Sequence, residues 1–268
     1  MQITLCLLML LFAGAVAVQD NGDFAADPDV TTVRPADEPA TRPGSADAIG
    51  DQKVEHFEKP IEVVMKLDYL LSLPEGYDEQ DRQWPVVVFL HGAGERGDDV
   101  QRVATWGVPR LIGQGKKIPA IVVSPQCSAR SWWTDQVPAL SALLDEIEAN
   151  YRVDKSRIYL TGMSMGGYGS FAWAAAEPER FAAVAPVCGG GSEDSAKAIA
   201  DLPIWIFHGT EDPTVPVSQS TDMYRWIKAA GGEQTKMTLY EGVDHISWTH
   251  AYADENLWTW MFEQQRED

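Results

Sequence analysis

Residues 160–169 read Leu-Thr-Gly-Met-Ser-Met-Gly-Gly-Tyr-Gly, which places Ser164 midway between Gly162 and Gly166. The apolar run Arg157-Ile158-Tyr159-Leu160 precedes it and a small, helix-like stretch follows from Ser170 to Ala176. Strand, sharp turn and helix in such close succession leave the turn residue in a strained backbone with its side chain pushed out of the sheet. The two glycines are required because a Cβ at either position would collide with a neighbouring strand or helix. A chain with this segment is constrained to a parallel sheet with covering helices, and a hydroxyl presented in this way is a candidate nucleophile.

A nucleophilic serine needs a base and an orienting acid, and after such a turn they are expected in the order acid, then histidine, at the carboxyl ends of later strands. The continuous apolar run Leu202-Pro203-Ile204-Trp205-Ile206-Phe207 reads as a strand covered on both faces. It empties into His208-Gly209-Thr210-Glu211-Asp212-Pro213, where Asp212 is the expected acid and the adjacent Glu211 the alternative. Lys236-Met237-Thr238-Leu239-Tyr240 forms another short strand, and the loop Glu241-Gly242-Val243-Asp244-His245 supplies His245 as the expected base. Asp244 is its sequence neighbour, so its side chain should point away from the imidazole and cap the helix that follows. Of the other histidines, His91 and His208 each precede a glycine at a strand end, His250 falls within the last helix, and His56 lies in the approach to the domain.

The oxyanion donors are expected from the loop after an early strand and from the N–H following the nucleophile. Trp84 to Leu90 is the most strand-like run in the chain and ends in His91-Gly92-Ala93-Gly94-Glu95-Arg96-Gly97. The N–H groups of Ala93 and Met165 are the expected pair, with Gly94 as the alternative to Ala93. The corner lacks P-loop spacing and its Lys-Ser/Thr pair, so it does not read as a phosphate cradle.

Leu73-Pro74-Glu75-Gly76-Tyr77-Asp78, the stretch 85–97, Ser124-Pro125-Gln126-Cys127, and the stretches 162–167, 208–216 and 245–252 together resemble the secreted esterase branch of the α/β-hydrolase superfamily. That branch includes feruloyl-esterase-like and polyhydroxybutyrate-depolymerase-like enzymes, predicted peptidases and phospholipase/carboxylesterases. The similarity spans about residues 54–265 and implies a doubly wound, mostly parallel sheet without a lid domain. It also implies Ser164 as nucleophile, Asp212 as acid and His245 as base, with no metal or cofactor. Fold analogy leaves the substrate open.

Helical patterns at 138–151, 164–176, 218–230 and 248–265 alternate with the strands, as a doubly wound sheet requires. Upstream, Leu5 to Val18 is apolar, too short for a membrane span, and closes on Ala15-Val16-Ala17. Residues 1–17 therefore read as a leader removed on export, although no Lys or Arg stands at its start. Cys6 lies too early for a lipid-attachment cysteine. Residues 18–50 hold Pro28, Pro35, Pro39 and Pro43 among seven acids and two arginines, and read as a flexible spacer before a catalytic domain at 51–268.

With a net charge of −19, the chain is unsuited to nucleic acid or an anionic membrane surface and compatible with a secreted or periplasmic setting. Arg96, Arg102 and Arg110 cluster near the oxyanion segment and can reverse the sign locally. Cys127 and Cys188 follow strands separated by two others, roughly 14 Å apart at ~4.8 Å per strand, so two free thiols are expected. Ten tryptophans suit a site for sugars or phenolic acids. Trp132, Trp133 and Trp248 are the candidate substrate contacts, packing under the loop being the alternative for the first two, whereas Trp84, Trp205 and Trp260 read as core.

The combined expectation is a secreted serine ester hydrolase acting on a small-molecule or polysaccharide-linked ester. A serine peptidase or acyl-peptide hydrolase is the alternative within the same chemistry. A non-catalytic carbohydrate-binding protein on the same scaffold is the alternative from another class.

Overall fold

Val86, Val88 and Leu90 face one side of their strand and Val87 and Phe89 the other, and all five are buried. Such a strand needs apolar cover on both faces, and the rest of the chain supplies it. The computed structural model describes residues 48–49, 52–53, 55–59 and 64–266. The expected leader and, apart from Ala48–Ile49, the expected spacer lie outside the described residues.

The chain divides into two units, 1–61 and 62–268. In the first, strands β1 (Ala48–Ile49) and β2 (Gln52–Lys53) pair antiparallel. The second contains β3 (Tyr69–Ser72), β4 (Trp84–Leu90), α1 (Gly107–Gly113), β5 (Ile121–Pro125), α2 (Val137–Asn150), β6 (Val153–Met163) and α3 (Met165–Ala176). It continues with β7 (Ala183–Val187), α4 (Glu193–Ala198), β8 (Ile204–Gly209), α5 (Ser218–Ala229), β9 (Thr235–Tyr240), α6 (Trp248–Ala253) and α7 (Glu255–Glu263).

The seven strands of this unit lie in the order β3-β5-β4-β6-β7-β8-β9. Only β3 is antiparallel to its neighbour, β5. One face is covered by residues of α2, α3, α4 and α5, the other by residues of α1, α6 and α7, giving the three-layer α/β-hydrolase arrangement. From β4 the chain moves outward to β5 and then returns to β6 on the opposite side. The crevice between β4 and β6 is therefore the topological switch point, where such sheets place their sites. Leu90 pairs with Gly162 across that boundary, so the loop after β4 and the turn after β6 emerge side by side.

Several elements depart from the sequence reading. The expected helix 248–265 is interrupted at Asp254, which adopts an extended conformation and caps α7 by accepting from the Asn256 N–H at 2.9 Å. The short helices α1 and α4 were not anticipated: Gly107 and Pro109 depress helix propensity in α1, and α4 has only six residues. Cys127 and Cys188 are unpaired and buried, with β4 and β6 lying between their strands.

Candidate active site

The turn after β6 holds Ser164 at φ 54 and ψ −117, a conformation that costs a non-glycine residue on the order of 1–3 kcal/mol. The packing around it permits no relaxation. A Cβ at Gly166 would fall on the Leu90 carbonyl, and one at Gly162 on the carbonyl of Gly166. The Ser164 N–H is tied to the Val187 carbonyl at 3.0 Å, which fastens the turn to β7.

The structure brings the three expected side chains together. His245 Nε2 lies 2.9 Å from Ser164 Oγ, and His245 Nδ1 lies 2.6 Å from Asp212 Oδ2. A carboxylate accepts, so Nδ1 carries the proton and Nε2 is left to accept from the serine hydroxyl. Asp212 Oδ1 receives the backbone N–H groups of Thr214 and Val215 at 2.8 and 2.9 Å. Burial works to raise the Asp212 pKa, but the hydrogen bonds from His245 and from these amides outweigh it and hold the carboxyl below its usual range. Glu211 and Asp244 make no contact of this kind: the Asp244 carboxylate accepts from the Ile246 N–H at 3.0 Å. Trp248 stands edge-on to the imidazole, with ring centroids 5.2 Å apart at 86°, and braces it.

Ala93 and Met165 are each the first residue of a helical segment, so their N–H groups have no acceptor within it. The loop carrying Ala93 is held from several sides. Arg96 Nε donates to the Ala93 carbonyl at 3.1 Å, Arg102 donates to the Gly94 carbonyl at 2.6 Å, and Gln126 donates to the Glu95 carbonyl at 2.8 Å.

Two histidines dismissed as strand-end residues in the sequence prove to support the site. His91, fully buried, donates from Nδ1 to the Gly92 carbonyl at 2.6 Å and accepts the Cys127 N–H on Nε2 at 3.0 Å. Burial pushes its pKa down to about 4, so the ring is neutral. His208, also fully buried, donates from Nε2 to the Val215 carbonyl at 2.9 Å and stands 3.2 Å from Asp212 Oδ2. Burial lowers its pKa as well. The one cue available in the sequence was a His-Gly pair repeated at the ends of two apolar strands.

Of the expected aromatic contacts, Trp132 is 38% exposed, with the Arg96 guanidinium 5.2 Å from its ring centre. Trp133 must be corrected: it is fully buried, donates from Nε1 to the His91 carbonyl at 2.9 Å and packs 5.0 Å from the His91 ring. Trp132 has extended backbone, so consecutive side chains project to opposite sides; one tryptophan reaches solvent and the next goes inward. Trp248 is only 7% exposed and meets the site through the histidine.

Cys188 Sγ, an Asp212 oxygen and a His245 nitrogen lie within 4.8 Å of one another. Burial pushes the Cys188 thiol up to about 12, and it donates to the His245 carbonyl at 3.7 Å. With Asp212 and His245 already joined to each other, this trio reads as a neutral thiol packed behind a hydrogen-bonded pair, a poor cation cage.

The arrangement can abstract a proton from a hydroxyl and stabilise an oxyanion. Comparison with known proteins points to a carboxylic ester hydrolase. The Dienelactone hydrolase family profile matches residues 117–263, just over half of the chain. A probable feruloyl esterase C of Aspergillus terreus is 30% identical over 165 residues, covering 58% of each chain. The chain thus spans less than two thirds of the length of that curated relative. Among solved structures, a thermostable esterase aligns with a TM-score of 0.65 at 34% identity, over 75% of this chain and 60% of that one. The feruloyl esterase module of Clostridium thermocellum aligns with a TM-score of 0.59 at 15% identity, over 76% of this chain and 89% of the module, a likeness of fold.

Proposed function

The chain belongs to the dienelactone hydrolase family, and we propose that it is an exported serine carboxylic ester hydrolase acting through an acyl-enzyme on ester groups attached to polysaccharide. The observation that carries this reading is the continuous path Asp212–His245–Ser164, with separations of 2.6 and 2.9 Å. The probable feruloyl esterase C of Aspergillus terreus and the thermostable esterase support the ester as the bond cleaved.

In the reaction, Ser164 Oγ attacks the ester carbonyl as its proton passes to His245 Nε2. Asp212 keeps the proton on Nδ1 and stabilises the imidazolium that forms. The carbonyl oxygen becomes an oxyanion on the N–H groups of Ala93 and Met165, each such donor contributing about 3 kcal/mol to the barrier reduction. His245 then returns the proton to the departing alcohol, and water repeats the sequence on the acyl-enzyme.

Turnover of p-nitrophenyl acetate, methyl ferulate and a peptide p-nitroanilide by the wild type and Ser164→Ala tests the reading. Serine-dependent cleavage of the esters with the anilide untouched is expected. Preferential cleavage of the anilide would transfer the triad to a peptidase, and no turnover by the folded protein would leave a binding scaffold.

A further inference from the structure

Beside the catalytic histidine lies a cavity of about 260 Å³ between α1 and α6, the helices that follow the oxyanion strand and the histidine loop. Its walls include Trp106, Arg110, Gln114 and Trp248. We propose that this cavity receives the leaving alcohol of the ester and that it is built for a single sugar ring bearing a carboxylate. The proposal rests on the esterase reading and assigns its alcohol side.

Position comes first. His245 must return its proton to the leaving oxygen, so the alcohol departs past the imidazole. Trp248 is packed against that ring at 5.2 Å and is also a wall of the cavity, so the imidazole and the cavity share that side chain.

Shape is the second element. Trp106 and Trp248 meet edge to face, with centroids 6.1 Å apart at 68°, and form an aromatic corner. Aromatic faces match the C–H faces of a pyranose, while the volume falls below the roughly 300–1,000 Å³ of sites for drug-sized ligands. One ring fits such a space.

Charge is the third. The chain as a whole carries −19 and repels anions, so a cation in the cavity wall sets a local exception. Arg96 and Arg102 are committed to the carbonyls of Ala93 and Gly94. Arg110 is different: its guanidinium sits 4.8 Å from the Trp106 ring centre, donates to the Thr105 carbonyl at 3.0 Å, and has no carboxylate within salt-bridge distance among the described residues. The planar fork thus retains donors for a ligand carboxylate, with Trp106 fixing its plane.

The test compares two acetyl esters alike except for one group: methyl glucoside and methyl glucuronoside, each acetylated at the same hydroxyl. The wild type is expected to favour the glucuronoside by about tenfold in kcat/KM, expressed mainly in KM, as one partly exposed charge-assisted contact would give. Arg110→Gln should bring the two esters to parity, and Arg110→Lys should restore part of the preference. Equal rates in the wild type, or a preference that survives Arg110→Gln, overturns the proposal. Serine-dependent cleavage of p-nitrophenyl acetate without cleavage of either sugar ester would overturn it and leave the esterase standing. No cleavage of any ester would bring down both.

Discussion

Nδ1 of His91 donates to the carbonyl of Gly92 at 2.6 Å, and the peptide unit holding that carbonyl also holds the N–H of Ala93. A hydrogen bond to one end of a peptide fixes its plane and polarises the other end, so a buried imidazole prepares the proposed oxyanion donor. Replacing His91 with Ala should lower kcat on a short ester by roughly tenfold with KM little changed, less than the ~10²–10³ lost when a donor itself is removed. Steady-state kinetics on the folded variant provide the check, and an unchanged kcat would detach His91 from the oxyanion site.

The same ring makes stability depend on pH. His91 titrates near 4 in the folded protein against 6.5 as its ordinary value, so between these pH values the unfolded chain binds the extra proton. Stability should therefore fall as the pH drops through this window, by about 3 kcal/mol from this residue. The lowered pKa of His208 acts in the same direction. Urea unfolding at pH 7 and pH 4.5 measures the effect, and His91→Gln should show a shallower loss than the wild type.

Ser164, the proposed nucleophile, holds a strained backbone, so relieving that strain should stabilise the protein. Ser164 has φ 54, where glycine is at ease and serine is not. Ser164→Gly is expected to raise the unfolding free energy by about 1 kcal/mol while abolishing turnover, measured by denaturant unfolding beside an ester assay.

Trp133 anchors the loop beneath the oxyanion segment, packed against His91 and bonded to its carbonyl. Trp133→Ala should cost about 3–5 kcal/mol as a buried cavity mutation. Trp132→Ala, at a surface ring, should cost less than about 1 kcal/mol. Thermal unfolding of the two neighbours separates them directly.

How far the sequence could be read depended on whether the deciding contact was local. Ser164 was legible because its turn is built from residues within two positions of it, and Asp212 and His245 because each sits in the loop after a strand that the sequence shows. The roles of His91 and His208 were hidden because they depend on partners such as Cys127, 36 residues away, and Ser220 across a helix start. The destination of Trp133 was decided by the extended backbone at Trp132, which sends consecutive side chains to opposite sides and which no composition reveals. The β3 strand, four half-buried residues paired antiparallel at the sheet edge, offered too short a pattern to recognise.

The central claim is that Ser164 is an activated nucleophile. Intact-mass measurement followed by peptide mapping after treatment with a fluorophosphonate tests it directly. One adduct on Ser164, lost in His245→Ala, is the predicted result; a folded wild-type chain that stays unlabelled, or carries the adduct on another residue, would contradict it.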